Sequence, residues 1–336
     1  MSLTESVLFE QLDQSVQLLQ EDAGFSYLEA LIESGENLLA NGDVLVKDGI
    51  PSPTVVKQLE TIYKQIDLNA YTSEDVRKAL QLLFIKGMRA DYIQPNHQMT
   101  PDSIASFIAY LIEIIAQPAT EKILSIADLT LGTGNLLFTI YHFLTSGKRQ
   151  VTMTGIENDE LLISLASMSS ALQQLDMTLY HQDSLQNLLL EPVDVMVGDL
   201  PIGYYPVDQN AARFKTAREE GHSYVHHLML EQGLHYLRPG GFGFYIVPSN
   251  LFDSVEGKQL LTYIQSVGHF QGFIQLPKDM FKTEAARKSI LIVQKQSESS
   301  TQASEVLLGT APSFNDPTQM KEFLGEINIW KNDHII

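Results

Sequence analysis

Cysteine is absent from this 336-residue chain, and tryptophan occurs once. Without thiols there are no disulfides, no thiolate zinc sites and no cysteine nucleophile, a composition that suits a reducing cytoplasm. Basic residues are scarce too: 22 Lys and Arg stand against 41 Asp and Glu, a formal net charge of −19. Affinity for nucleic acid comes largely from cations that neutralise phosphates. A global footprint for tight nonspecific DNA binding is therefore excluded, while local basic patches are not. No apolar run reaches the roughly 20 residues that span a bilayer, and the N-terminus lacks a basic-then-apolar signal pattern. The expectation is a soluble, cytoplasmic protein. What the chain does have is apolar material, 44% of residues with 9% aromatic, enough to bury a full core. Its length suits two domains, or one large α/β domain with a helical piece attached.

The spacing predicts helices over residues 5–93. Val7, Leu8, Leu12, Val16 and Leu19 recur near helical intervals, as do Leu28, Leu31, Ile32, Leu38 and Leu39. Ile50-Pro51-Ser52-Pro53-Thr54 interrupts the pattern, and Val55, Leu59, Ile62, Tyr63 and Ile66 resume it. Ser73-Glu74-Asp75-Val76, ahead of Leu80, Leu83 and Phe84, reads as a capped helix start. Nothing in this region carries recognisable chemistry, so its expected role is packing or contact with a protein partner. From Thr100 the pattern changes. Thr100-Pro101-Asp102 reads as a helix start with proline in the first turn. Apolar runs at 123–127, 151–156, 177–180, 193–197, 241–247, 270–276 and 289–293 then alternate with helical segments. That alternation predicts a mostly parallel sheet of seven strands covered on both faces. Residues 296–304 read as a loop or edge connection, and Asn315-Asp316-Pro317 as one more helix start. The chain divides on this reading into a helical domain, 1–93, and an α/β domain, 94–336.

Chemistry gathers at the ends of the predicted strands. Asp128-Leu129-Thr130-Leu131-Gly132-Thr133-Gly134-Asn135 follows the first strand and opens a helix. Glycines let a ligand come close to backbone, and a new helix offers free N–H groups. Leu137 stands where the full dinucleotide pattern has its third glycine. The second strand ends at Glu157-Asn158-Asp159, where a carboxylate can accept both hydroxyls of a ribose. The third ends in His181-Gln182-Asp183-Ser184, where Asp183 can accept from the exocyclic amine of an adenine. Three acids at three successive strand ends fit an adenosine-containing cofactor better than three helix caps.

These motifs resemble those of class I S-adenosylmethionine-dependent methyltransferases, and more closely the N6-adenine DNA methyltransferases. Within those, the chain looks most like the modification subunits of type I restriction systems, over residues 93–296. The resemblance implies a Rossmann-like α/β fold and S-adenosylmethionine as cofactor. It assigns cofactor contacts to Thr100, to Asp128, Thr130, Gly132, Gly134 and Asn135, to Glu157 and Asn158, and to Asp183 and Ser184. Arg238-Pro239-Gly240-Gly241 resembles the turn ahead of the family's next strand, and Phe281-Lys282 with 287–293 its last hairpin.

The fourth strand ends in Gly198-Asp199-Leu200-Pro201-Ile202-Gly203-Tyr204-Tyr205-Pro206. In the family this position carries Asn or Asp, two prolines, then Tyr or Phe. The acid and the next backbone carbonyl accept hydrogen bonds from a planar amino group as its nitrogen attacks the methyl sulfonium. The aromatic stacks on a base that is flipped out or single-stranded. Asp199 and Pro201 fit, Leu200 replaces the first proline but keeps its carbonyl, and Ile202 stands in the aromatic's place. Tyr204 or Tyr205 would then supply the stacking, worth roughly 1–3 kcal/mol. The implied catalytic set is Asp199, Leu200, Pro201 and Tyr204, with Asp199 also bordering the cofactor.

The expected acceptor is adenine N6 in DNA or RNA, with no metal and no membrane. The alternatives are transfer to a protein glutamine amide, a noncatalytic cofactor-binding scaffold, and an NAD oxidoreductase. The forty residues after 296 are too few for a target-recognition domain, so none is expected within them. Lys278, Lys282, Arg287, Lys288 and Lys295 form the one mildly basic segment near the expected substrate side. His222, His226, His227 and His235 lack a companion acid at zinc-ligand spacing, apart from Glu231 beyond His227.

Overall fold

The structure, a computed structural model, describes residues 3–93, 99–116 and 123–335. The expected boundary between the two regions falls beside residues 94–98, outside the described residues. Four helices make the N-terminal part: α1 (Leu3–Ala23), α2 (Tyr27–Leu39), α3 (Pro53–Tyr63) and α4 (Ser73–Ala90). Two begin on complete capping boxes, Ser26 with Glu29 and Thr72 with Asp75. Each satisfies two backbone donors that the first helical turn leaves over. The cap of α4 is thus Thr72, one residue before the start read from the sequence. Leu8, Leu12, Leu31, Leu59, Leu80 and Leu83, each at most 1% exposed, form the core of these helices.

After α5 (Asp102–Ile115), which follows Pro101 as its cap, strands and helices alternate. They are β1 (Leu124–Asp128), α6 (Asn135–Ser146), β2 (Val151–Glu157), α7 (Glu160–Leu172), β3 (Met177–His181) and β4 (Val193–Asp199). There follow the short α8 (Asp208–Ala211), α9 (Val225–Tyr236), β5 (Leu237–Pro248), α10 (Val255–Val267), β6 (Gly268–Gln275) and β7 (Lys288–Lys295). Strands β1 to β5 lie parallel in the order β3-β2-β1-β4-β5, and β7 inserts antiparallel between β5 and β6. Pro239-Gly240-Gly241, the stretch read as a turn, lies within the bounds of β5 but bulges out of the ladder: Val193 pairs with Leu237 and Val195 with Phe242, with Gly240 at φ 81°.

Among the described residues the sheet has eight strands, one more than the periodicity predicts. The extra strand, β8 (Leu307–Thr310), adds parallel to the free edge of β6. It is short and carries a glycine, so it lacks the apolar run that marks a strand in sequence. The last helix, α11 (Pro317–His334), starts on the Asp316 cap and returns Ile327 and Trp330 to the central core.

Helix α7 joins the two regions. Leu162, Leu165, Met168 and Leu172 belong to the same apolar cluster as the N-terminal helices. On α2, a Cβ at Gly35 would sit 2.5 Å from Met168, so the glycine is what allows α2 to lie this close to α7. The helical region is thus packed on α7, the helix that follows β2. Strand connections change direction between β1 and β4, and open α/β sheets bind ligands at the carboxyl ends of such strands. Among the described residues no helix is long and apolar enough to cross a membrane.

Candidate functional site

Asp128, Glu157, Asp183 and Asp199 all lie at or just past the carboxyl ends of β1 to β4, along one edge of the sheet. Asp128 is fully buried. Its Oδ1 accepts from the Thr130 backbone N–H at 2.8 Å and from the Thr130 hydroxyl at 3.1 Å, while Oδ2 has no hydrogen-bond partner among the described residues. Burial pushes its carboxyl up to about 7, against the opposing effect of the Thr130 hydrogen bonds. Glu157 Oε2 accepts from Gly132 N at 2.8 Å, and Oε1 from the N–H groups of Asn158 and Asp159 at 2.9 and 3.0 Å. The acid that caps α7 is Asp159, through Leu162 N, which leaves Glu157 free of that duty. Gly132 and Gly134 take φ of 57° and 84°, a conformation that side chains resist.

The other expected cofactor residues divide by where their side chains go. Asp183 Oδ1 holds Leu185 N at 2.9 Å, and Oδ2 accepts the Tyr205 hydroxyl at 2.6 Å. The Ser184 hydroxyl donates to the Leu129 carbonyl at 2.6 Å and so ties the loop after β3 to the loop after β1. Asn158 offers its carbonyl to His181 at 3.1 Å. Asn135 is buried, and its amide is spent on Thr100, Asp102 and Arg77 rather than on the open side of the glycine turn.

In the loop after β4, Asp199 accepts the Thr100 hydroxyl on Oδ2 at 3.0 Å and the Lys288 ammonium on Oδ1 at 2.6 Å. Leu200 is buried, and its N–H bonds the Ile246 carbonyl, fixing the loop to β5. Ile202 is 45% exposed. Of the two tyrosines, Tyr205 is buried beneath the loop and held by Asp183 and Asn210, so it is unavailable for stacking. Tyr204 is 56% exposed and lies stacked on Tyr224, centroids 5.0 Å apart, with the Arg218 guanidinium over the Tyr224 ring.

The basic segment does not form a patch. Strand β7 is internal to the sheet, Arg287 is buried against the Leu276 carbonyl, and Lys295 bonds carbonyls of 235 and 237 at the opposite end of the strand. Only Lys288 of the five bonds Asp199. Buried His226 and His227 are pushed down to about 4 and about 3, chiefly by loss of water, and stay neutral at pH 7. Among the described residues no His, Cys, Asp and Glu cluster fits a metal ion.

Arg77 sits in a stretch that reads as ordinary helix, and nothing local signals its place beside the candidate site. Lys288 belongs to the basic segment noted in the sequence, but nothing local distinguishes it from the other four cations there. Only the fold carries these two to Asn135 and Asp199.

Residues 96–334 match the family model described as N-6 DNA Methylase, and residues 6–88 that of the YtxK N-terminal helical domain. The chain is 38% identical over 323 residues to the uncharacterised protein YtxK of Bacillus subtilis strain 168, covering 96% of each chain. It is 42% identical to a Listeria monocytogenes protein of known crystal structure assigned provisionally as a class I S-adenosylmethionine-dependent methyltransferase. The TM-score there is 0.89, with 98% of this chain and 99% of that one covered. A type I restriction-modification methyltransferase subunit from Streptococcus thermophilus shares the fold at 18% identity, with a TM-score of 0.67 over 99% of this chain and 74% of that one. The chain belongs to the N-6 DNA Methylase family of class I S-adenosylmethionine-dependent methyltransferases, and its N-terminal helices are of the YtxK type.

Proposed function

We propose that the protein transfers a methyl group from S-adenosylmethionine to a planar amino nitrogen, adenine N6 in DNA or RNA being the acceptor that fits best. The observation that carries this reading is the row of four strand-end acids, with the glycine turn at the first and Asp199 at the last. The residues fit the cofactor. The orphaned Oδ2 of Asp128 suits a cationic amine, and Glu157, held by three backbone N–H groups, keeps acceptor capacity for a ribose. Asp183 retains capacity beside the Tyr205 hydroxyl for an adenine amine. When bound, S-adenosylmethionine supplies an electrophilic methyl on a sulfonium.

The chain's own contribution is to orient the nucleophile. Asp199 and the Leu200 carbonyl accept the two amino hydrogens, which increases electron density on nitrogen. A carboxylate has about four acceptor sites, and Thr100 and Lys288 occupy two of those on Asp199. Tyr204, backed by Tyr224, supplies the aromatic face missing at Ile202. The proton released after transfer passes to Asp199 or to water. The N-terminal helices are assigned contact with a protein partner, which would bring the substrate affinity that the acidic surface lacks.

A second reading, a cofactor-binding scaffold without transfer, is favoured by the Lys288–Asp199 contact and by Ile202. Calorimetry with S-adenosylmethionine and with NAD, followed by a labelled-methyl assay on single- and double-stranded DNA, RNA and protein, separates the two. Binding of S-adenosylmethionine with label entering nucleic acid is the expected result. Binding with no label in any fraction favours the scaffold, label in protein favours a glutamine amide, and binding of NAD alone removes the proposal.

A further inference from the structure

The glycine turn and Asp199 stand at the end of one continuous run of hydrogen bonds that starts in the helical domain. Arg77, on α4, is 3% exposed. Its Nε donates to Glu74 at 2.7 Å, and Nη2 to Glu74 and Asp102 at 2.8 Å each. Its Nη1 donates to Asp102 at 3.1 Å and to Asn135 Oδ1 at 3.0 Å. Asp102 opens α5, and Asn135 opens α6 directly after Gly134. Asn135 Nδ2 then donates to the Thr100 carbonyl at 2.7 Å and to Asp102 at 2.9 Å. The Thr100 hydroxyl completes the run at Asp199.

Two features make this more than packing. The cap of α6 is Gly134, which offers no side-chain hydrogen bond, so backbone bonds and Glu157 hold the glycine turn but no side chain caps the first turn of α6. Asn135, next in the chain, is held instead from the helical domain by Arg77. The carboxyl of Asp102 is raised by burial, yet the Arg77 hydrogen bonds and charge outweigh this and hold it below the usual carboxylate range. Arg77 and Asp102 are therefore a charged pair whose fork geometry is matched to three partners at once, a task suited to arginine and not to lysine.

We propose that Arg77 is a positioning residue of the active centre: from the helical domain it fixes the glycine turn relative to Asp199, so the helical domain is a working part of the catalytic unit. The link to methyl transfer rests on the function proposed above, but the positioning itself does not. Hydrogen exchange on the cofactor-free protein reads the positioning directly, and calorimetric titration with S-adenosylmethionine reads its consequence.

The reporters are the amides of Gly132, bonded to Glu157, of Gly134, bonded to the Leu131 carbonyl, of Phe138, bonded to the Gly134 carbonyl, and of Leu200, bonded to the Ile246 carbonyl of β5. In Arg77→Met and in Arg77→Lys they are expected to exchange about tenfold faster, with a cofactor Kd about tenfold higher, the size of one lost charge-assisted contact. Amides of α1 to α3 keep wild-type rates. Ser73→Ala cuts a different tie between the regions, the 2.8 Å bond from Ser73 to the Gln173 carbonyl, and leaves the reporters unchanged. Faster exchange confined to α4 and α5, or spread evenly over the chain, overturns the proposal, as does equal loosening in Ser73→Ala. If Arg77→Met does not fold, Arg77→Lys carries the comparison. A wild type that binds no S-adenosylmethionine defeats the functional reading, while the exchange pattern still decides the role of Arg77.

Discussion

The two halves of the proposed site are held in place by different means. On the half proposed for the cofactor, Asp128, Glu157 and Asp183 each answer a backbone N–H within two residues of their own position. On the acceptor half, Asp199 is held by Thr100, 99 residues earlier, and by Lys288, 89 residues later. Local turn chemistry orients the acids of the first half, and the closure of the whole sheet orients the acid of the second. Damage to one half should therefore change cofactor affinity, and damage to the other the rate of transfer.

The largest effect that tests this division is expected from Asp199→Ala. Losing an acceptor aimed at the reacting group typically costs about 10²–10³ in rate, and cofactor Kd should stay within about threefold. A parallel collapse of cofactor binding would mean that the halves are not separable. Glu157→Ala should do the opposite. Loss of a hydrogen bond to a charged group costs about 1.5–3 kcal/mol, so calorimetry should find cofactor Kd raised by about 10- to 100-fold.

Smaller effects come from the two tyrosines, neighbours in sequence but assigned to opposite halves. Tyr204→Ala removes a stacking face worth about 1–3 kcal/mol, and should lower kcat/KM for a nucleic-acid acceptor without moving cofactor Kd. Tyr205→Phe removes only a hydroxyl bonded to Asp183, and should shift cofactor Kd by about threefold or less with kcat preserved. Exchange of these two phenotypes would reverse the assignment of the loop.

The smallest expected effect is a pH dependence. The Asp128 carboxyl is raised to about 7 in the folded chain, so the folded state holds its proton more tightly than the unfolded one. Its contribution to stability is fully present below the ordinary carboxylate range and is lost as pH rises through about 7. A cationic amine on Oδ2 favours the ionised form, so cofactor affinity should rise between pH 6 and 8. Asp128→Asn should flatten both trends, in thermal melts and in calorimetry; a variant that keeps the wild-type slopes would remove Asp128 as their source.

What could be read from the chain itself follows the same division. The N-terminal helices, the strand-end acids and the glycine turn were legible because periodicity, caps and turn residues act within a few positions. β8 was not, because Leu307-Leu308-Gly309-Thr310 becomes a strand only when the edge of β6 is there to pair with it. The basic residues of 278–295 looked like one segment, yet an extended strand carries Lys288 and Lys295 to opposite ends of the sheet. Nor does sequence order say that Tyr205 turns in to Asp183 while Tyr204 turns out.

By itself, then, the sequence determined the fold class, the strand ends that carry the acids and the glycine turn, and the acid that ends β4, since each is written in local patterns. Only the tertiary structure decided what surrounds that acid. Thr100 and Lys288 meet at Asp199, and Arg77 reaches Asn135 beside the glycine turn, because strand pairing and the packing of α4 against α6 and α7 bring together groups with no relation along the chain.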